Sequence, residues 1–303
     1  MLDPVRYYGT QSHISDPGSM AYLYDSLPDD IPGLCRVAQG LIYHYMAGQW
    51  IYGWQIPRER IAEIDTRYAE NILKRIIELD NRPITEARPP EKRFVGCCRD
   101  FSLIFASMAR HKGYAVRNRS GFGAYFMPDY YMDHVVSEIW DPEAQRWYLV
   151  DAQMSPEEIK AHQLKFDVLD VPRDQFIVAG QAWQMCRKQG ADAERFGLGP
   201  GVPIKGWGFI TTRLLQDIAA LNKQEMLCWD EWTISAETYE PTEDNLKLLD
   251  KVAALSQGDR ASIEELQGLY QTDARLTVPE TVQCYSPAYP GDQLPIPVKV
   301  EFA

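Results

Sequence analysis

Apolar residues recur at helical spacing through the first third of the chain. Leu34, Val37, Leu41, Ile42 and Tyr45 predict a helix over residues 32–46. Ile61, Ile64, Tyr68, Ile72 and Ile76 predict a second over 57–79. Between them and a third helix lies a proline-bearing stretch, residues 81–93, which reads as a loop delivering the chain to Gly96. The third helix runs from Cys98 to about His111, with Phe101, Ile104, Phe105 and Met108 on one face and Gly113 as its stop.

The period then changes. Residues 114–119, 132–140 and 147–151 have the composition and alternation of strands. A helix pair is expected over 156–163 and 172–188. Residues 190–208 hold six glycines and two prolines and read as a linker or boundary. Further helices are expected over 211–222, 243–255 and 262–270, then a proline-dotted tail ending in a strand over 296–302. Helices followed by a run of strands define an α+β class rather than a doubly wound α/β one. The expected division is a loose N-terminal arm (1–30), a core (31–195) and a mostly helical C-terminal extension (196–303) packed on that core.

Composition narrows the partners. With 31 basic and 43 acidic residues among 303, the formal charge is -12. That balance argues against nucleic acid or an anionic membrane as partner. No apolar run has the roughly 18–20 residues needed to span a bilayer. The first residues lack the basic and apolar regions of a secretory signal, so a cytoplasmic location is expected. Six cysteines are few for this length, and reduced thiols are the expectation.

One of those thiols stands where chemistry is favoured. Gly96-Cys97-Cys98-Arg99-Asp100 puts a glycine turn before an amphipathic helix. A thiol in the first helical turn meets unpaired backbone N–H groups and the positive end of the helix dipole, which favour thiolate. The same N–H groups can donate to an oxyanion forming on a bound carbonyl. The plain alternative is a cysteine packed as a small apolar side chain. Cys97 is the rival nucleophile; neighbours on a helix point about 100° apart, so only one of the two faces a given site. The sequence leans to Cys98.

The strands supply partners. Folding residues 132–140 and 147–151 about a turn at 141–144 puts Glu138 opposite Trp147, Val136 opposite Leu149 and His134 opposite Asp151. A carboxylate there would hold one imidazole nitrogen and leave the other for the thiol. An ordinary half-buried His–Asp pair is the alternative, and a slip of one residue would separate the two faces. Arg117 and Arg119 on the neighbouring strand are candidate contacts for an anionic substrate group. The other histidines are less suggestive. No Cys-x-x-Cys, His-Glu-x-x-His, phosphate-loop or EF-hand pattern occurs, so neither a metal nor a cofactor is expected.

With those residues in view, residues 93–153 resemble the core of the transglutaminase-like superfamily, which includes tissue transglutaminases, peptide N-glycanases and many microbial thiol proteases and amide-forming enzymes. The matching pattern is Gly96-Cys97-Cys98 heading a helix, His134-Val135-Val136-Ser137-Glu138 in a strand, and Asp151 ending the next. Val136 stands where tryptophan is frequent and Ala152 where proline is frequent. Residues 170–176 with Ala182-Trp183 are also similar to bacterial members. The resemblance implies a papain-like core and a Cys98–His134–Asp151 triad. It also implies a second oxyanion donor upstream of the cysteine, for which Trp50, Trp54 and Gln55 are candidates beside simple packing roles; Trp54 is the expected substrate contact. The implied substrate is a peptide, a protein or a small amide or thioester, attacked to give a thioacyl-enzyme. Calcium-activated cross-linking is not implied, since the flanking domains of the animal enzymes have no room here. A non-catalytic binding module on the same fold and a metal-dependent hydrolase are the competing readings, and oligomeric state is not legible.

Overall fold

The computed structural model describes residues 3–235, 242–258 and 260–302. In chain order its elements are α1 (Pro4–Tyr8), α2 (Ile31–Leu41), β1 (Ile42–His44), α3 (Gly48–Tyr52), α4 (Ala69–Leu79), β2 (Phe94–Gly96), α5 (Cys98–His111), β3 (Val116–Met127), β4 (Tyr130–Asp141), β5 (Arg146–Val150), α6 (Pro156–His162), β6 (Phe176–Val178), α7 (Ala179–Lys188), β7 (Phe196–Gly197), α8 (Trp207–Leu221), β8 (Asp230–Glu231), α9 (Glu243–Leu255), α10 (Arg260–Thr272), β9 (Thr281–Cys284) and β10 (Ile296–Lys299). The class is α+β. The chain forms two compact units: one of residues 5–117 and 136–171, the other of 1–4, 118–135 and 172–303. Strands β3 and β4 run through both.

In the first unit α5 is buried along nearly its whole length, Cys98 through Arg110. Its apolar face carries the expected Phe101, Ile104, Phe105 and Met108, each burial contributing about 2 kcal/mol. Its buried polar groups are matched: Arg110 donates to the Val116 carbonyl and to Ser15 Oγ. Gly113, at φ 88°, turns the chain out of the helix as expected. Helix α2 starts at Asp30, whose side chain caps Gly33 N at 2.6 Å. It ends earlier than the spacing suggests, because Ile42, Tyr43 and His44 pair in parallel with Phe94, Val95 and Gly96. The helix expected over 57–79 is two pieces, a 3-10 segment Arg58–Asp65 and α4. Buried Glu63 joins them to β2, accepting from Arg60, from Arg75 and from Val95 N at 2.9 Å. Burial raises its pKa, but these donors outweigh burial and hold it below the usual carboxylate range.

The loop before β2 is organised by Arg88, 1 % exposed. Its guanidinium donates to the carbonyls of Asp80, Arg82, Pro83 and Glu86. Within the expected N-terminal arm, Tyr8, Ile14, Met20 and Tyr24 are buried. Tyr24 OH lies 2.8 Å from Ser107 Oγ of α5.

The β4–β5 hairpin corrects the expected register by two residues. Trp140 pairs with Trp147, Glu138 with Leu149 and Ser137 with Val150. The cause is a longer turn. Asp141 Oδ1 accepts from Glu143 N and Ala144 N, and Gln145 takes φ 53°. The strands therefore close at Asp141–Arg146 rather than at Trp140–Gln145.

In the second unit β3 lies between β4 and β6. Phe176–Val178, expected as helix, pairs antiparallel with Gly121–Gly123 before α7 begins. The glycine-rich stretch 190–208 is also structured. Phe196 and Gly197 pair in parallel with Tyr131 and Met132, and Phe196 stacks on Tyr131 with ring centres 4.4 Å apart. A Cβ on Gly197 would lie 2.5 Å from the Ile204 carbonyl oxygen, so this crossing needs glycine. Helix α8 is buried from Ile210 to Leu221. The tail strand is present over Ile296–Lys299, paired with β9, which the sequence reading missed.

Candidate active site

Cys98 is the first residue of α5 and is 6 % exposed. Cys97 precedes it in extended conformation, φ -129° and ψ -177°, as the cap residue. Asp100 closes the helix start by accepting from Cys97 N at 2.8 Å. Arg99 holds that carboxylate at 3.0 Å and donates its other amino group to the Arg67 carbonyl at 2.6 Å. A Cβ on Gly96 would come within 2.8 Å of Asp100 Oδ2, so the glycine at 96 makes room for the capping carboxylate. The helix start that carries Cys98 is therefore fixed by side chains other than its own. The Cys97-x-x-Asp100 spacing was the available signal, hidden because cysteine is not a usual capping residue.

Asp151 directly follows β5 and is 1 % exposed. Its N–H donates to the Val168 carbonyl at 2.9 Å, and its Oδ1 accepts from Gln153 N at 3.2 Å. The connection from Asp151 to α6 is held on several sides. Gln39 of α2 donates to the carbonyls of Ala152 and Met154. Glu158 accepts from Ser155 N and Gln153 Nε2, and Tyr52 OH lies 2.8 Å from Ser155 Oγ. Cys35 of α2 also feels Asp151: burial, then that negative charge, push its thiol well above the usual range.

His134 lies on β4, 2 % exposed, in the second unit, whereas Cys98 and Asp151 belong to the first. Its ring is bordered edge-on by Phe126 at 4.9 Å, Tyr125 at 6.1 Å and Phe176 at 6.3 Å. The preceding Asp133 is tied to α8, with Arg213 Nη2 2.7 Å from its Oδ2. Arg213 also donates to the Cys228 carbonyl and to Gln216 Oε1, and lies over the Phe209 ring. Burial pushes Asp133 up to about 6, against the pull of Arg213. The observed hairpin replaces the expected direct opposition of His134 and Asp151. The β4–β5 pairing ends at Ser137–Val150, before Asp151 is reached. His134 is two residues before Val136 and shares its strand face.

The two arginines expected to meet a substrate anion are ion-paired within the protein. Arg117 Nε meets Glu138 Oε2 at 2.6 Å, and its guanidinium lies over the Trp147 ring at 4.3 Å. Arg119 makes paired bonds to both oxygens of Asp217, 2.9 and 2.8 Å, and a third to the Ser256 carbonyl. Both are buried with their charges matched inside the protein. Trp54 is half-buried, edge-on to Tyr43 at 5.0 Å and under Arg60 at 5.2 Å; its carbonyl accepts from Tyr43 OH. Trp50 is 63 % exposed beside His162.

Residues 57–152 match the sequence model of the transglutaminase-like superfamily, and this stretch contains Cys98, His134 and Asp151. Among solved structures, a candidate cysteine protease from Cytophaga hutchinsonii is similar at 11 % identity and a TM-score of 0.34, over 59 % of this chain and 46 % of that one. This chain thus spans under half the length of that solved protein. No curated protein matches it. Among the described residues, no helix is long and apolar enough to cross a membrane.

Proposed function

We propose that the chain is a cysteine-dependent acyl-transfer enzyme acting on an amide or thioester. The observation that carries the reading is the placement of Cys98 at the first position of a buried helix, inside the family-matched segment, on a helix start closed by Asp100. In this reading the Cys98 thiolate attacks the carbonyl, and backbone N–H groups of the helix start hold the developing oxyanion. His134 donates its proton to the leaving group, and Asp151 holds the imidazole in the productive tautomer. A thioacyl-enzyme results. Water resolves it by hydrolysis, an amine by transamidation.

An aryl thioester offered to the protein, with the product digested and mapped by mass spectrometry, should leave an acyl group on Cys98 that added amine removes. Acylation absent from Cys98, or unchanged in His134→Ala, contradicts the proposal and favours a binding module on the same fold.

A further inference from the structure

The connection after Asp151 contains a polar device that the proposed triad does not use. Glu158 sits three residues into the turn opened by Ser155, where a carboxylate ordinarily faces water while closing a capping box. Here it is 2 % exposed. Its Oε2 accepts from Ser155 N at 3.1 Å, which completes the cap. Its Oε1 accepts from Gln153 Nε2 at 3.0 Å, and Gln153 N donates in turn to Asp151 Oδ1. Capping alone needs neither the burial nor the second bond. Gln153 is 4 % exposed and its Oε1 has no hydrogen-bond partner among the described residues. A half-turn of that amide would present Oε1 to a protonated Glu158, so Gln153 can follow the charge of Glu158: donor to its carboxylate, acceptor from its acid form.

We propose that Glu158 is a positioning residue for Asp151, whose carboxylate form holds the Asp151–Gln153 turn in the arrangement that supports the reactive thiol. This rests on the triad reading above. The carboxyl is pushed up to about 7, by burial first and also by the Asp151 charge, against the bonds from Ser155 and Gln153. It therefore changes charge near neutrality. The groups around it are Tyr52 of α3, with the Arg93 guanidinium over its ring at 5.1 Å, Ser155, Gln153 and Asp151. Cys35 faces Asp151 from α2, and Glu157 and Lys160 flank Glu158 on its own helix.

The test has two readouts. Carbon-13 NMR of labelled glutamate carboxyls, assigned with Glu158→Gln, should show Glu158 titrating near 7 and lower by about half a pH unit or more in Asp151→Asn. The rate of Cys98 alkylation by iodoacetamide should show an inflection near the same pH. Glu158→Gln, folded by its amide spectrum, should lack that inflection and react about three- to tenfold more slowly at pH 8, as for an imidazolium that loses roughly half to one pK unit of support from Asp151. A Glu158 midpoint unmoved by Asp151→Asn, or an alkylation curve for Glu158→Gln that overlays the wild type, overturns the proposal. His134→Ala separates the two failures. If Cys98 depends on His134 while Glu158→Gln changes nothing, the positioning role alone falls. If Cys98 ignores His134, the triad falls and takes the positioning role with it.

Discussion

Arg119 shows how a charged residue legible as a site candidate becomes framework. On an alternating strand it reads as a candidate contact for a substrate anion, and only the fold reveals Asp217 of α8 aligned with its Nε and Nη2. Removing one partner of such a buried pair leaves the other charge stranded, at a cost of about 3–5 kcal/mol. Arg119→Ala should accordingly lower the urea midpoint sharply, and Arg119→Met with Asp217→Leu should recover much of the loss. If Arg119→Ala is as stable as the wild type, the pair is not structural and the substrate reading of Arg119 revives. Cys98 was legible for the opposite reason: its position depends on local helix geometry, which sequence reports well. Glu158 was half legible. Ser155-x-x-Glu158 is a capping-box spacing in plain view, but nothing in the sequence announces that the carboxylate is buried.

At the scale of elements, α5 and the β4–β5 hairpin were foreseen and the pairings around them were not. The helix over Cys98–His111 follows from its apolar spacing and its glycine stop. The hairpin's two strands were placed, but the register was off by two because turn length is set by Asp141 capping and by Gln145 at positive φ, which alternation does not encode. The short strands β1, β6, β7 and β9 escaped for one physical reason: three or four residues or fewer gain strand structure only from a distant partner. The start of α5 yields a prediction of its own. Asp100→Ala should cost about 3–5 kcal/mol, because it strands the buried Arg99 charge and removes the cap. It should also slow Cys98 alkylation as the first turn frays. Urea midpoints and alkylation rates check both, and an unchanged rate would mean that the cap does not organise the thiol.

Across the whole molecule, buried carboxyls give stability a particular pH dependence. Glu158, raised from 4.5 to about 7, keeps its proton in the folded protein over a range where the unfolded chain has released it. Its contribution is present below about 4.5 and is lost as pH rises through about 7. That rise is worth roughly 3 kcal/mol. Glu158→Gln should thus gain stability relative to the wild type between pH 5 and pH 8, read from urea midpoints at the two values. A gap independent of pH would mean that Glu158 titrates normally. Glu63, held low by Arg60, Arg75 and Val95 N, acts in the opposite sense, its contribution fading as pH falls through its lowered pKa. Net charge, by contrast, bears on partners and not on architecture. Neither the two-unit division nor the burial of Tyr8, Ile14, Met20 and Tyr24 could be read from composition, because both depend on long-range contacts.

The central claim is that Cys98 is a nucleophile activated by His134. Site-resolved alkylation with limiting iodoacetamide across pH 5–9, in wild type and His134→Ala, tests it most directly. Cys35 and Cys186, whose thiols burial pushes up, serve as internal controls that should stay unmodified near neutrality. The account predicts rapid labelling of Cys98 below the ordinary thiol range in the wild type, and loss of that low-pH reactivity in His134→Ala. Labelling of Cys98 no faster than Cys35, or equally fast without His134, would contradict it.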